Sequence, residues 1–357
     1  MSAALRVPQR ALADTGLTIS ALAFGAGPVS ALMTDAAARE RQLATVQRAL
    51  SIGVDWFDTA ATYGNGASET SLGCALRELG ASNSVRIGTK VRLAAEQLGD
   101  ISGAVRASVE GSLQRLGVNS VALLQLHNSI TRQRGDQPTS ITPDDVLRPG
   151  GVLEAFDQLR REGLVQHFGL TGLGDAESLD KVLALDMWAT MQVNLNLCDA
   201  SSQPIMSLAG PRCVRPRSGW CAEAARSAAL PESQAETGSH SDGSTESRPT
   251  APALLAIRVF AGGALAGKPP SAHTLTTKFF PLPIYERDLR RAEAMRRLLP
   301  AGISLPEAAV RSAVHHKQIT SAIIGFGSPA EVEDAARWAA NGPLPDDLIA
   351  TLASAGV

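Results

Sequence analysis

The chain predicts an α/β protein, a closed (β/α)8 TIM barrel interrupted once between its sixth and seventh strands. Three observations carry that expectation. Short apolar runs of strand character recur eight times along the 357 residues, with helical periodicity between them. Glycine falls just past several helical stretches, in Ser51-Ile52-Gly53, Glu78-Leu79-Gly80 and Arg161-Glu162-Gly163, where it accepts the left-handed conformation that closes a helix. No Gly-x-Gly-x-x-Gly turn follows the first run, which argues against an open Rossmann sheet.

In order, the strands are expected at residues 21–24, 55–58, 85–89, 121–126, 167–170, 190–195, 254–260 and 321–324. Helices are expected at 36–51, 68–78, 101–116, 152–162 and 176–185. The whole chain, 1–357, reads as one such domain, with 198–253 as an anomalous segment inside it. That segment is rich in Ser, Ala, Pro, Arg and Gly, and its tail at 231–243 is too polar to bury a core, so it is expected to be disordered. A short helix near 219–230 is the one element expected there. The abrupt loss and return of periodicity resembles an out-of-frame reading of a coding stretch, and a natural disordered insertion is the alternative.

Bulk composition bounds the function. Hydrophobic residues make up 44% and charged residues 19%, ordinary for a soluble globular protein. A net charge of −2 offers no basic face to nucleic acid or to an acidic membrane. No apolar stretch suits a signal peptide or approaches the ~20 residues of a membrane span. The four cysteines show neither disulfide nor metal spacing; Cys198, Cys213 and Cys221 all fall in the anomalous segment. A reduced, cytoplasmic protein without a bound metal is the expectation.

Four polar residues stand at or just past the ends of the second, third and fourth apolar runs: Asp58 and Tyr63, then Lys90, then His127. Each has an ordinary explanation alone: Asp58 as a helix cap, Tyr63 as loop packing, Lys90 as a solvated rim residue and His127 as a structural histidine. Their joint arrival at the edge where barrels build active sites favours chemistry. Reducing a carbonyl requires a hydride donor and a proton for the developing alkoxide. A phenol, with an ordinary pKa of ~10, is a poor acid at neutral pH unless a cation stabilises its phenolate. Lys90 supplies that cation, Asp58 orients and balances Lys90, and His127 is a donor for the carbonyl oxygen.

These residues sit in motifs that resemble the aldo-keto reductase superfamily. The motifs are 14–20 with Phe24-Gly25-Ala26-Gly27, then Phe57-Asp58-Thr59-Ala60-Ala61-Thr62-Tyr63-Gly64 with Ser68-Glu69, Gly88-Thr89-Lys90, and Leu124-Gln125-Leu126-His127-Asn128. The run 150–174, the stretch 257–268 and Ala322-Ile323-Ile324-Gly325-Phe326-Gly327-Ser328 complete them. The resemblance implies an opening β-hairpin before the barrel, NADPH or alternatively NADH as cofactor, and the catalytic roles given above for Asp58, Tyr63, Lys90 and His127. It also implies cofactor contacts. Gly25, Ala26 and Asp58 belong to the first two strand ends. Thr171 and Gly172 stand where the family commonly has Ser-Asn for the nicotinamide carboxamide, with Gln192 as the other partner; Thr171 keeps a hydroxyl, while Gly172 lacks the side-chain amide. Arg258 stands where relatives stack an aromatic ring on nicotinamide; a guanidinium can stack too, or reach a phosphate or an acidic substrate.

Phe260, Ala261, Gly262, Leu265, Gly267 and Lys268 resemble the loop over the pyrophosphate. Gly325, Phe326, Gly327, Ser328 and Glu331 match the adenosine-phosphate segment, without the Arg or Lys common near Gly327 in relatives. Substrate choice falls to two loops, 128–148 and 268–283. The expected function is reduction of a small aldehyde or ketone, or the reverse, with no nucleic-acid or membrane partner. The alternative implied by the same resemblance is a regulatory or channel-associated subunit that binds NADP(H) with little turnover. A metal-dependent hydrolase or isomerase ranks far behind, because the strand ends supply only Asp58 and His127 as ligands.

Overall fold

Continuous apolar strands covered on both faces belong to parallel sheets, and that is how this chain folds. The computed structural model describes residues 5–209 and 251–355. A two-stranded antiparallel hairpin, β1 (Gln9–Ala11) and β2 (Thr18–Ser20), pairs Arg10 with Ile19. Eight parallel strands then close a barrel in chain order: β3 (Leu22–Gly25), β4 (Trp56–Asp58), β5 (Arg86–Val91), β6 (Val121–Leu126), β7 (Val165–Thr171), β8 (Trp188–Asn194), β9 (Ala253–Ile257) and β10 (Ile319–Gly325), with β10 returning to β3. The fold is the (β/α)8 barrel with an N-terminal hairpin.

The hairpin plugs the barrel floor. Leu12 and Ile19 are fully buried against Ala23, Trp56, Leu123, Leu255 and Ile323. Side chains on a strand return to the same face every second residue. Two positions beyond Trp56 on β4 is Asp58, and two beyond Leu123 on β6 is Gln125; their mutual contact sets the layer above the plug. That layer is polar, and the active-site candidates lie in it.

Helices wrap the barrel where the periodicity predicts them. The helix Ile101–Leu116 starts at Asp100, whose side chain accepts from Gly103 N at 2.9 Å, and ends at left-handed Gly117. Its buried stripe, Val105, Val109 and Leu116, contributes about 1.5–3 kcal/mol per side chain. Other boundaries shift. The first helix runs Arg39–Ser51 because Ala36–Ala38 forms a tighter 3-10 turn capped by Asp35. Helix Ala176–Leu183 stops two residues short of the expected end. The seventh barrel strand stops at Ile257, not at 260, because Arg258 turns into a left-handed conformation with φ +56°.

The segment singled out as anomalous is described only at its ends. Cys198 is buried, with burial pushing its thiol up to about 12 and Sγ 3.5 Å from Asp288 O. A short helix, Gln203–Ser207, buries Met206, and Ala253 already opens β9. The helix expected at 219–230, the polar tail 231–243, Cys213 and Cys221 lie outside the described residues. Among the described residues no helix is long and apolar enough to cross a membrane.

Candidate active site

The site is built around one buried ammonium. Lys90, near the end of β5, is 1% exposed. Its Nζ donates to Asp58 Oδ1, to Thr59 O at 2.8 Å and to Tyr63 Oη at 3.2 Å. Burial disfavours the charged form, but Asp58, Tyr63 and their hydrogen bonds outweigh it, so Lys90 is held above the ordinary lysine value. The cation is permanent at any physiological pH.

Asp58 is gripped from three strands. Besides Lys90, its Oδ2 accepts from Gln125 Nε2 at 3.1 Å and from Gln192 Nε2 at 2.5 Å. Gln125 fits because residue 169 on the neighbouring strand is glycine: a Cβ there would come within 3.0 Å of Gln125 Cγ and 2.2 Å of Thr190 Oγ1. The Gln125 side-chain Oε1 is itself buried without a partner among the described residues. Gln125 and Gln192 therefore fix the carboxylate that fixes Lys90. Nothing in the run Val121–Leu126 marks Gln125 for this role.

Tyr63 stands on the turn between β4 and the helix Ala67–Glu78. Its N–H donates to Ala60 O at 3.1 Å, and its carbonyl accepts from Ser68 N at 3.2 Å. Ser68 Oγ ties that turn to Thr59 Oγ1 at 2.9 Å and Ala26 O at 2.7 Å. The adjacent Glu69, fully buried, accepts from Thr89 Oγ1 and from Arg115 Nε at 2.7 Å. The Ser-Glu pair in the motif thus anchors the tyrosine turn to β5 beside Lys90.

His127 follows β6, its N–H bonded to Val91 O at 2.8 Å. Its ring meets the Tyr63 ring edge-on at 5.7 Å, and Nδ1 lies 3.5 Å from Thr62 Oγ1. Burial first, then the positive charges of Arg92 and Lys90, hold the imidazole well below its ordinary value. It is neutral at physiological pH and carries one ring N–H donor. The four residues expected together are brought together.

The remaining candidates divide. Gly25 forms a wall, since a Cβ there would lie 3.0 Å from Ile323 Cγ2, and Ala26 N donates to Asp58 O at 2.8 Å. Thr171 Oγ1 donates to Leu126 O at 3.3 Å. Gly172 N is committed to Gln192 O at 2.7 Å, and a Cβ at this position would press on Ile205 Cγ2 at 2.9 Å. Any side chain at 172 would have to displace the Ile205 methyl. Ala261–Ala266 forms a kinked 3-10 helix flanked by Phe260 and Gly267, with Gly262 and Gly263 at positive φ; Ala261 and Leu265 are buried in the core. Phe326 is likewise core, packed on Phe24 at 5.6 Å, while Gly325 is exposed beside Ser30. Ser328 caps the helix Pro329–Ala340, Gly327 N donates to Glu331 Oε2 at 2.9 Å, and Glu331 pairs with Lys268. Arg258 lies over the Phe280 ring at 3.6 Å, its guanidinium drawn by burial down to about 10.

A parallel barrel with an Asp-Tyr-Lys-His cluster at the carboxyl ends of its strands defines a class of barrel proteins with a polar, acid–base mouth. A model of the aldo/keto reductase family matches residues 21–215, more than half of the chain, and the chain belongs to that family. L-galactose dehydrogenase of Arabidopsis thaliana is 34% identical over 169 residues, covering 47% of this chain. The match spans 49% of that relative, so the chain covers about half its length. Among solved structures, the holo form of an aldo-keto reductase from Bacillus halodurans is similar with a TM-score of 0.66 at 20% identity, covering 98% of this chain and 97% of that one. An aldo-keto reductase from Klebsiella pneumoniae, solved in complex with NADPH, is similar with a TM-score of 0.61 at 19% identity, covering 97% and 94%. These structural likenesses speak to the fold.

Proposed function

We propose that the chain is an oxidoreductase that uses NADPH, or NADH, to interconvert a small aldehyde or ketone and its alcohol, with Tyr63 moving the proton. One observation carries this: Lys90 Nζ is shared between Asp58 and Tyr63 Oη, at 3.2 Å from the latter. The hydrogen bond sets a fixed positive charge beside the one oxygen that would hand a proton to an alkoxide or take it back.

Residues at the ends of β7, β8 and β9 have the chemistry to hold a dinucleotide. Asn194 Oδ1, at the end of β8, is buried without a partner among the described residues and suits a carboxamide N–H. Thr171 keeps acceptor lone pairs for the same group. The backbone at Gly262 and Gly263 is left-handed, and nothing stands within 4 Å of where a Gly263 side chain would begin, which leaves room for a phosphate to approach although Gly263 N itself donates to Phe260 O at 2.9 Å. When bound, the dinucleotide supplies or accepts the hydride. In the reductive direction His127 donates a hydrogen bond to the carbonyl oxygen, and Tyr63 passes its phenolic proton to that oxygen. The phenolate left behind faces the Lys90 ammonium until solvent returns the proton. In the oxidative direction the same phenolate takes the hydroxyl proton.

The direct test is spectrophotometric. The purified protein with NADPH and a panel of short aliphatic and aromatic aldehydes should consume the reduced cofactor in an aldehyde-dependent way. Absence of consumption with every aldehyde, by protein that binds NADPH, would contradict the proposal.

A further inference from the structure

Two arginines at the barrel mouth, Arg92 and Arg258, form no salt bridge with a carboxylate among the described residues, although Asp288 and Asp199 favour the Arg258 charge from further away. Arg92 lies two residues beyond Lys90; its Nε donates to His127 O at 3.4 Å, and its guanidinium sits 4.2 Å over the Phe279 ring. Arg258, just past β9, sits 3.6 Å over Phe280. By contrast, two arginines of the neighbouring 128–148 loop are spent on carboxylates: Arg132 pairs with Glu177 at 2.6 Å, and Arg134 forks onto Asp145. Consecutive phenylalanines on the loop after the short helix Ala272–Thr276 thus pin two guanidiniums from separate strands to the same mouth.

The backbone adds an independent sign. Arg258 is held at φ +56°, a conformation that costs a non-glycine residue of order 1–3 kcal/mol and persists chiefly where surrounding structure enforces it for use. A guanidinium stacked on a ring keeps its in-plane N–H groups free, in a fork that matches a carboxylate. Burial lowers both arginines, and His273 is lowered by burial and then by Arg258 and Arg92. Asp288 and Asp199 offset part of that cost at Arg258 without pairing with it, and a cation drawn out of water gains further from an anion that does pair with it.

We propose that Arg92 and Arg258, held on Phe279 and Phe280, form an anion subsite beside Tyr63 and His127, and that the preferred substrates carry a carboxylate as well as the reacting carbonyl or alcohol. This rests on the oxidoreductase assignment for the reacting group, but not for the binding of the anion. Hydride and proton go to the carbonyl as before; the carboxylate is unchanged by the reaction and serves to orient it.

Two measurements on the whole chain test it, with Arg92→Gln as the variant. In turnover, 4-carboxybenzaldehyde should be preferred over benzaldehyde by about tenfold or more in kcat/KM, and the preference should shrink by about 10- to 100-fold in Arg92→Gln, the worth of one charge-assisted bond. In calorimetry with oxidised NADP present, benzoate should bind more tightly than benzamide and lose affinity by the same factor in the variant. A parent protein that treats the two aldehydes alike, or binds benzoate no better than benzamide, overturns the subsite, whether or not the variant folds. Weakened NADPH binding as the sole effect of Arg92→Gln would assign the arginine to the nucleotide phosphates and also overturn it. If neither aldehyde is reduced but benzoate binds and the variant loses it, the subsite stands and the oxidoreductase assignment fails.

Discussion

Lys90 Nζ bridges Asp58 Oδ1 and Tyr63 Oη, 3.2 Å from the phenol, and 99% of its surface is withdrawn from solvent, since only 1% is exposed. A buried ammonium is tolerated because it is paired and fully hydrogen-bonded. The same pairing makes stability and chemistry separable. Lys90→Met leaves Asp58 as a buried carboxylate without its cation and should cost about 3–5 kcal/mol in urea unfolding. Turnover should fall by about 10²–10⁴. Adding Asp58→Asn removes the orphaned charge, so the double variant should recover most of the stability and none of the turnover. Lys90→Met with turnover within about threefold of the parent would remove the ammonium from the mechanism.

The depressed His127 imidazole makes folding stability depend on pH. In the unfolded chain a histidine takes up a proton near pH 6.5, whereas in the fold burial, Arg92 and Lys90 keep His127 neutral well below that. Unfolding therefore takes up a proton as pH falls below about 6.5, and stability drops through that window while being unaffected above it. His127→Gln removes this contribution. Between pH 7.5 and 5 the parent should lose more urea resistance than the variant; equal losses would mean the imidazole is protonated in the fold.

How much of this was legible depends on the residue. The eight barrel strands were, because strands buried on both faces leave uninterrupted apolar runs. Asp58, Lys90 and His127 were, because each breaks such a run or follows it abruptly. Gln125 was not: one glutamine inside Val121–Leu126 says nothing of its partner, and its room comes from Gly169 on another strand. The turn at Arg258 was invisible, since arginine carries no preference for positive φ. The stacking of Arg92 on Phe279 joins residues far apart in the chain, and no local pattern reports it.

Gly172 carries a steric prediction. Gly172→Asn places a Cβ 2.9 Å from Ile205 Cγ2 and should destabilise by about 1–3 kcal/mol through overpacking. Combining it with Ile205→Ala, which vacates the contact, should cost less than the sum of the two single changes. Strict additivity in thermal melts would show that Ile205 is not what excludes a side chain at 172.

Cofactor preference turns on Glu331, which pairs with Lys268 and accepts from Gly327 N at 2.9 Å at the start of Pro329–Ala340. A carboxylate there competes with a phosphate for the same donors. Preference for NADPH over NADH should stay below about a thousandfold, and Glu331→Gln, by releasing Lys268, should raise it by about 10- to 100-fold. Dissociation constants from fluorescence titration decide it; a preference that Glu331→Gln leaves unchanged or lowers would contradict this role.

The central claim is that Tyr63 moves the proton, and Tyr63→Phe tests it most directly because it deletes one hydroxyl and keeps the ring. With the best aldehyde found for the parent, turnover should fall by about 10²–10⁴ while NADPH binds within about threefold of the parent value. Turnover within about threefold of the parent, in a variant that binds cofactor normally, would contradict the account.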